Sequence, residues 1–99
     1  MPKIDVTDGE DAVRVEAEAP GLTEKDVEVT LKDGALTLSG ERRVSERFVG
    51  RFVRRIPIGY EIDEDKVEAS FDKGELTVTL PKTAQARSDA RKIEIKPAG

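Results

Sequence analysis

The stretch Val27-Glu28-Val29-Thr30-Leu31-Lys32-Asp33-Gly34-Ala35-Leu36-Thr37-Leu38 decides the fold. Val27, Val29 and Leu31 alternate with Glu28 and Thr30, and Leu36 and Leu38 flank Thr37. A period of two puts every second side chain on one face of a strand, so each half of the stretch has an apolar side and a wet side. Between the halves stands Asp33-Gly34, whose glycine accepts the positive φ that a tight hairpin turn demands. The stretch predicts two antiparallel strands with one face buried.

Forty residues on, Val67-Glu68-Ala69-Ser70-Phe71-Asp72-Lys73-Gly74-Glu75-Leu76-Thr77-Val78 lines up with it. The similarity has two readings: related hairpins in opposing sheets, or the convergence of any two well-formed hairpins. Two copies are too few for a solenoid, which needs about three. Working outward, Val13, Val15 and Ala17 alternate with Arg14, Glu16 and Glu18, and Leu76, Val78 and Leu80 alternate with two threonines. Phe48, Phe52, Ile56 and Ile58 share one strand face by the same count and are expected in the core. Asp8-Gly9, Pro20-Gly21 and Lys73-Gly74 mark further reversals, with positive φ expected at Gly9 and Gly74. No run of ten residues carries a helical apolar stripe. Several short strands with turns at this spacing predict an all-β sandwich of two antiparallel sheets.

After Pro81 the alternation stops. Residues 1–81 are expected to form the domain, the polar residues 82–92 a flexible linker, and 93–99 a tail carrying the extended apolar pair Ile93 and Ile95.

Composition removes whole classes of function. The chain has neither cysteine nor histidine, so thiolate chemistry, disulfides and the commonest general base and metal ligand are absent. Ser39, Ser45, Ser70 and Ser88 have no histidine to activate them, and no glycine-rich phosphate loop is present. The acidic cluster Glu61, Asp63, Glu64 and Asp65 lacks the ligand spacing and central glycine of a calcium loop and reads as a solvated turn. An enzyme, a metal and a cofactor are not expected. No apolar run reaches the roughly 18 residues of a membrane span, and Met1-Pro2-Lys3-Ile4-Asp5 is no signal peptide. A cytoplasmic, non-membrane protein is expected.

Charge is abundant, at 38% of residues, and unevenly placed. Net charge is −4, yet Arg42, Arg43, Arg47, Arg51, Arg54 and Arg55 fall within fourteen residues that hold one acid, Glu46. Basic residues interleaved with Phe48 and Phe52 are one way to hold single-stranded nucleic acid. Phenylalanines committed to a core cannot stack on bases, and the acidic remainder repels phosphate. A self-association surface is preferred over a simple solvated strand, and no nucleic-acid partner is expected. Arg54 falls between Phe52 and Ile56 on the apolar face and calls for a carboxylate, from this subunit or another.

Together these segments resemble an α-crystallin domain of the small heat-shock protein family. Ile4-Asp5-Val6 is similar to the family's first short strand and Ala19-Pro20-Gly21-Leu22 to its proline-glycine turn. Asp33 to Arg42 resembles its second hairpin, and Glu46 to Arg54 its aromatic-glycine-phenylalanine-arginine strand. Ala69 to Leu76 resembles its A-x-x-x-n-G-V-L signature, with Glu75 in place of valine, and Ile93-Glu94-Ile95 its C-terminal I-x-I motif. Pro57-Ile58-Gly59 departs from the usual leucine-proline step. The family's apolar N-terminal arm is expected to be missing. So is the long loop that many relatives swap between partners, because only Val44, Ser45 and Glu46 stand between two strands.

The resemblance implies an immunoglobulin-like β-sandwich and an ATP-independent holding chaperone. Its partners would be unfolding client proteins and further copies of itself. Its groove would be lined by Val27, Val29, Leu31, Val67, Ala69 and Phe71, with Ile93 and Ile95 as tail ligands. An unswapped dimer would use Arg51, Arg54 and Arg55. Two alternatives stay open: a co-chaperone domain of the related CS type, and a purely structural assembly module.

Overall fold

A computed structural model describes residues 3–88 and 93–99. Seven strands form two antiparallel sheets: β1 (Ile4–Asp8), β2 (Ala12–Glu18), β3 (Val27–Lys32), β4 (Ala35–Val44), β5 (Arg47–Pro57), β6 (Glu68–Asp72) and β7 (Glu75–Pro81). One sheet has the order β1-β2-β7-β6, the other β3-β4-β5. The two similar hairpins therefore do lie in opposing sheets. Each closes on a two-residue turn with both residues at positive φ, Asp33 (50°) and Gly34 (74°), Lys73 (50°) and Gly74 (80°), a backbone that matches the right-handed twist of the strands. Gly9 differs from expectation. The β1–β2 connection runs through Gly9, Glu10 and Asp11 without a positive-φ residue, and the Gly9 N–H donates to the Ala12 carbonyl at 3.0 Å.

The alternating residues meet between the sheets. Val13, Val15 and Ala17 of β2, Leu76, Val78 and Leu80 of β7, Leu36 and Leu38 of β4 and Phe52 of β5 are all buried. Leu22 closes the upper end. It lies over Gly40 and Gly50, so close that a Cβ on Gly40 would stand 2.6 Å from Phe52 Cε1 and 2.7 Å from Leu22 Cδ2. Arg42 holds this turn down, its Nη1 donating to the Gly21 carbonyl at 2.7 Å.

The β4–β5 hairpin departs from simple alternation. Its ladder shifts register at Arg42/Arg43: Arg42 faces Gly50 while Arg43 faces Phe48, leaving Val49 as an extra residue. One extra residue reverses the side on which every later side chain falls. Phe48 thus shares the outer face with Arg43 and is 44% exposed, against the expectation that it joins the core. Only Ser45 and Glu46 form the turn, with Ser45 at φ 58°. Since β3 pairs with β4 only as far as Gly40, the end of this hairpin projects beyond its sheet.

Order also runs past Pro81, where a linker is expected. The inward phase of Leu76, Val78 and Leu80 continues to Lys82, which is only 7% exposed. Its Nζ donates to Asp8 Oδ1 at 2.8 Å and to the Gly9 carbonyl at 2.7 Å, and lies 3.7 Å from the centre of the Tyr60 ring. The Tyr60 hydroxyl donates to the other oxygen of Asp8. This clamp ties β1, the segment after β5 and the end of β7 together, and a helical turn, α1 (Ala84–Ser88), follows. Residues 89–92 of the expected linker lie outside the described residues.

The hydrogen bonds from Lys82 and then Tyr60 hold the Asp8 carboxyl below its usual range. The bond to Asp8 holds both the Lys82 ammonium and the Tyr60 hydroxyl above theirs. A depressed acid stabilises the fold above its unfolded value and loses that contribution as pH falls through the folded value. Raised basic and phenolic groups lose theirs as pH climbs through the folded values. The clamp is therefore complete between roughly pH 4 and 10. The melting-temperature gap between wild type and Asp8→Asn should be constant across that window and close below it; a gap that persists at acid pH would show that Asp8 acts otherwise. Gly40→Ala should cost about 1–3 kcal/mol in denaturant unfolding through overpacking. Gly59→Ala, where a Cβ meets nothing within 4 Å, should stay within about 0.5 kcal/mol.

Candidate functional site

The strand order leaves β3 at one edge of its sheet and β6 at one edge of the other. Their apolar residues follow the inward phase: Val27 faces Gly40, Val29 faces Leu38 and Leu31 faces Leu36, while Ala69 faces Val78 and Phe71 faces Leu76. Their partners are buried, yet Val27, Val29, Leu31 and Phe71 are only half-buried, and Ala69 is exposed. Val67, just before β6, is half-buried too. All but Ala69 pack against the central cluster from outside it. Each strand thus presents partly uncovered apolar side chains beside an outer edge that pairs with no other strand among the described residues.

Leu31, near the end of β3, also lines a cleft of about 560 Å³. Leu31, Ile58 and Ile62 supply its apolar walls, and Glu61, Asp63, Glu64 and Asp65 its acidic rim. The segment carrying these acids is pinned to the end of β7. The Asp63 N–H donates to the Pro81 carbonyl at 2.9 Å, the Thr83 N–H to the Glu61 carbonyl at 3.1 Å, and the Thr83 hydroxyl to Glu61 Oε1 at 3.0 Å. Lys66 pairs with Asp63 at 3.5 Å. Among the described residues no group of three or more histidine, cysteine, aspartate or glutamate side chains is placed to hold a metal ion, and no helix is long and apolar enough to cross a membrane.

The other residues singled out in the sequence fall elsewhere. Ile93 and Ile95 are 70% and 92% exposed. Arg51 and Arg55 point outward from β5 opposite Glu41 and Thr37, whereas Arg54 faces the buried Leu38 and is half-buried. No carboxylate pairs with Arg54 among the described residues. Arg51 instead approaches the Phe48 ring, 5.4 Å from its centre, on the side shared with Arg43 at 4.4 Å. This guanidinium–aromatic group was not anticipated, since only the bulge brings the three side chains onto one face. The Lys82 clamp also went unforeseen, although the unbroken inward phase of residues 76, 78, 80 and 82 signals it.

Comparison with known proteins agrees with this two-sheet fold. The model of the Hsp20/alpha crystallin family matches residues 5–96. Heat shock protein 16 of Schizosaccharomyces pombe is 43% identical over 96% of this chain and 75% of its own length. The aligned span of 108 positions exceeds the 99 residues of this chain, so the relative carries residues with no counterpart here. The solved structure of heat shock protein 16.0 from Schizosaccharomyces pombe superimposes with a TM-score of 0.74 at 41% identity, covering 96% of this chain and 97% of that one. A small heat-shock protein from Xylella fastidiosa, described as having a distinct high order structure, gives 0.73 at 28% identity, covering 98% and 97%. With a family match over nearly its whole length and these relatives in sequence and structure, the chain belongs to the Hsp20/alpha crystallin family of small heat shock proteins, which are chaperones and not enzymes.

Proposed function

We propose that this chain is an ATP-independent holding chaperone that captures unfolding proteins by strand addition along the β3–β6 margin. The observation that carries this reading is the margin itself. It has one free strand edge from each sheet and a line of half-buried apolar side chains, Val27, Val29, Leu31, Val67 and Phe71, that the core leaves partly uncovered. An extended segment laid there gains main-chain hydrogen bonds from an edge and places alternate side chains against the apolar lining. Unfolding proteins expose such segments.

The chain's own tail has the same chemistry. Ile93 and Ile95 stand two residues apart and so point to one side of an extended strand. Burying both is worth about 3–6 kcal/mol before ordering costs. Tail and client therefore compete for one surface, and a tail docked on a neighbour builds an assembly. The arginines of β5 serve self-association. Arg54, half-buried and without a carboxylate partner among the described residues, supports this together with the outward Arg51 and Arg55. Because only two residues separate β4 from β5, the dimer forms without exchange of a loop.

At substoichiometric to equimolar ratios the protein should slow the heat-induced aggregation of test clients, followed by light scattering without added nucleotide. No slowing with any of several clients would refute the chaperone reading and leave an assembly module. Ile93→Ser/Ile95→Ser should lower the assembly mass; unchanged mass together with unchanged tail mobility by NMR would count against tail docking.

A further inference from the structure

The projecting end of the β4–β5 hairpin carries exposed apolar surface together with unpaired positive charge. Val44 and Phe48 are 52% and 44% exposed. The guanidiniums of Arg43 and Arg51 lie beside the Phe48 ring, at 4.4 and 5.4 Å from its centre, and neither pairs with a carboxylate among the described residues. An aromatic ring held between two cations suits a receptor with an apolar floor and a negative rim, because the cations stay attracted to carboxylates after the ring is buried.

The chain itself offers such a receptor. The cleft walled by Leu31, Ile58 and Ile62 is rimmed by Glu64 and Asp65, whose carboxylates meet no cation among the described residues, and by Glu61 and Asp63. Its volume of about 560 Å³ is ample for a phenylalanine side chain. The two features cannot meet within one molecule. They lie at opposite ends of β5, whose ten steps from Arg47 to Pro57 separate them by roughly 33 Å.

We infer that the hairpin end of one copy docks in the acidic cleft of a second copy, with Phe48 against Leu31, Ile58 and Ile62, and Arg43 and Arg51 against Glu64 and Asp65. This rests on the reading of the β5 arginines as a self-association surface and names what that surface meets. The contact is heterologous: each copy uses one surface to give and another to receive, so copies add head to tail into a ring or an open chain. Leu31 belongs to both the cleft and the tail's margin, so the two modes of assembly bear on one another.

The test is a charge exchange in the full-length chain bearing Ile93→Ser/Ile95→Ser, which removes tail-driven assembly and keeps this contact separate from tail docking. Arg43→Glu/Arg51→Glu gives one chain and Glu64→Lys/Asp65→Lys the other, all at exposed positions. Sedimentation velocity over a range of concentrations should show each reversed chain alone associating about tenfold more weakly than the unreversed one, since like charges now face each other. An equimolar mixture should recover association, because each hairpin end again meets an opposite rim. The milder Arg43→Gln/Arg51→Gln should give an intermediate loss, and raised salt should weaken the unreversed contact. The idea is overturned if either reversed chain associates like the parent, or if the mixture fails to recover. Weakening by the arginine reversal alone also overturns it, since the hairpin end would then meet a different acidic surface of the second copy.

Discussion

The contact between the inner faces of a four-stranded and a three-stranded sheet is the constraint on which the rest of this molecule depends. Val15, Val78 and Leu80 on one side and Leu36 and Leu38 on the other are sealed from water. Each buried side chain of this kind contributes about 1.5–3 kcal/mol, so the five dominate a core that a 99-residue chain can only keep small. Sheets of unequal width cannot cover each other edge to edge. Apolar surface is left over at the margins, along β3, along β6 and at Val6 of β1, which is 50% exposed. The incomplete fit that limits stability is also what leaves binding surface available.

The upper and lower ends of the sandwich are closed by different means. Above, Leu22 sits on two glycines whose missing side chains make room for it, and Arg42 fastens the turn. Below, Lys82 lays its alkyl stem along the core and brings its ammonium to Asp8, Gly9 and Tyr60. A steric lock resists heat and denaturant through packing, whereas an ionic one responds to pH. The acidic segment between Tyr60 and Lys66 rests on the ionic lock and on the hydrogen bonds to Pro81 and Thr83.

Much of this was legible in the chain. The period of two named the strands, and Asp33-Gly34 and Lys73-Gly74 named their turns, because a glycine at positive φ is a local requirement. The apolar phase of Val27, Val29, Leu31, Val67 and Phe71 was legible too. That these residues lie on or beside edge strands and are not central depends on strand order, which no local pattern encodes. Phe48 was misplaced because alternation carries no mark of an extra residue in one strand. Lys82 was overlooked because a charge at the end of an apolar series looks like a terminus, although a long alkyl stem can continue it. The slot for Leu22 was invisible, since Gly40 and Gly50 come together only when β4 and β5 pair.

The bulge at Val49 has a consequence for how this hairpin tolerates change in length. Strand parity is a binary quantity, and one surplus residue sets it for everything between there and the turn. Deleting Val49 would close the bulge and still leave Phe48 outward opposite Arg43, because the residue next to inward Gly50 faces out in an unbroken ladder. Inserting one residue between Arg42 and Arg43 would instead give Val49 a partner and turn Arg43 and Phe48 together toward the inner face. Substitutions grade the properties of this surface, but the strand on which a single residue is gained or lost decides which face it occupies.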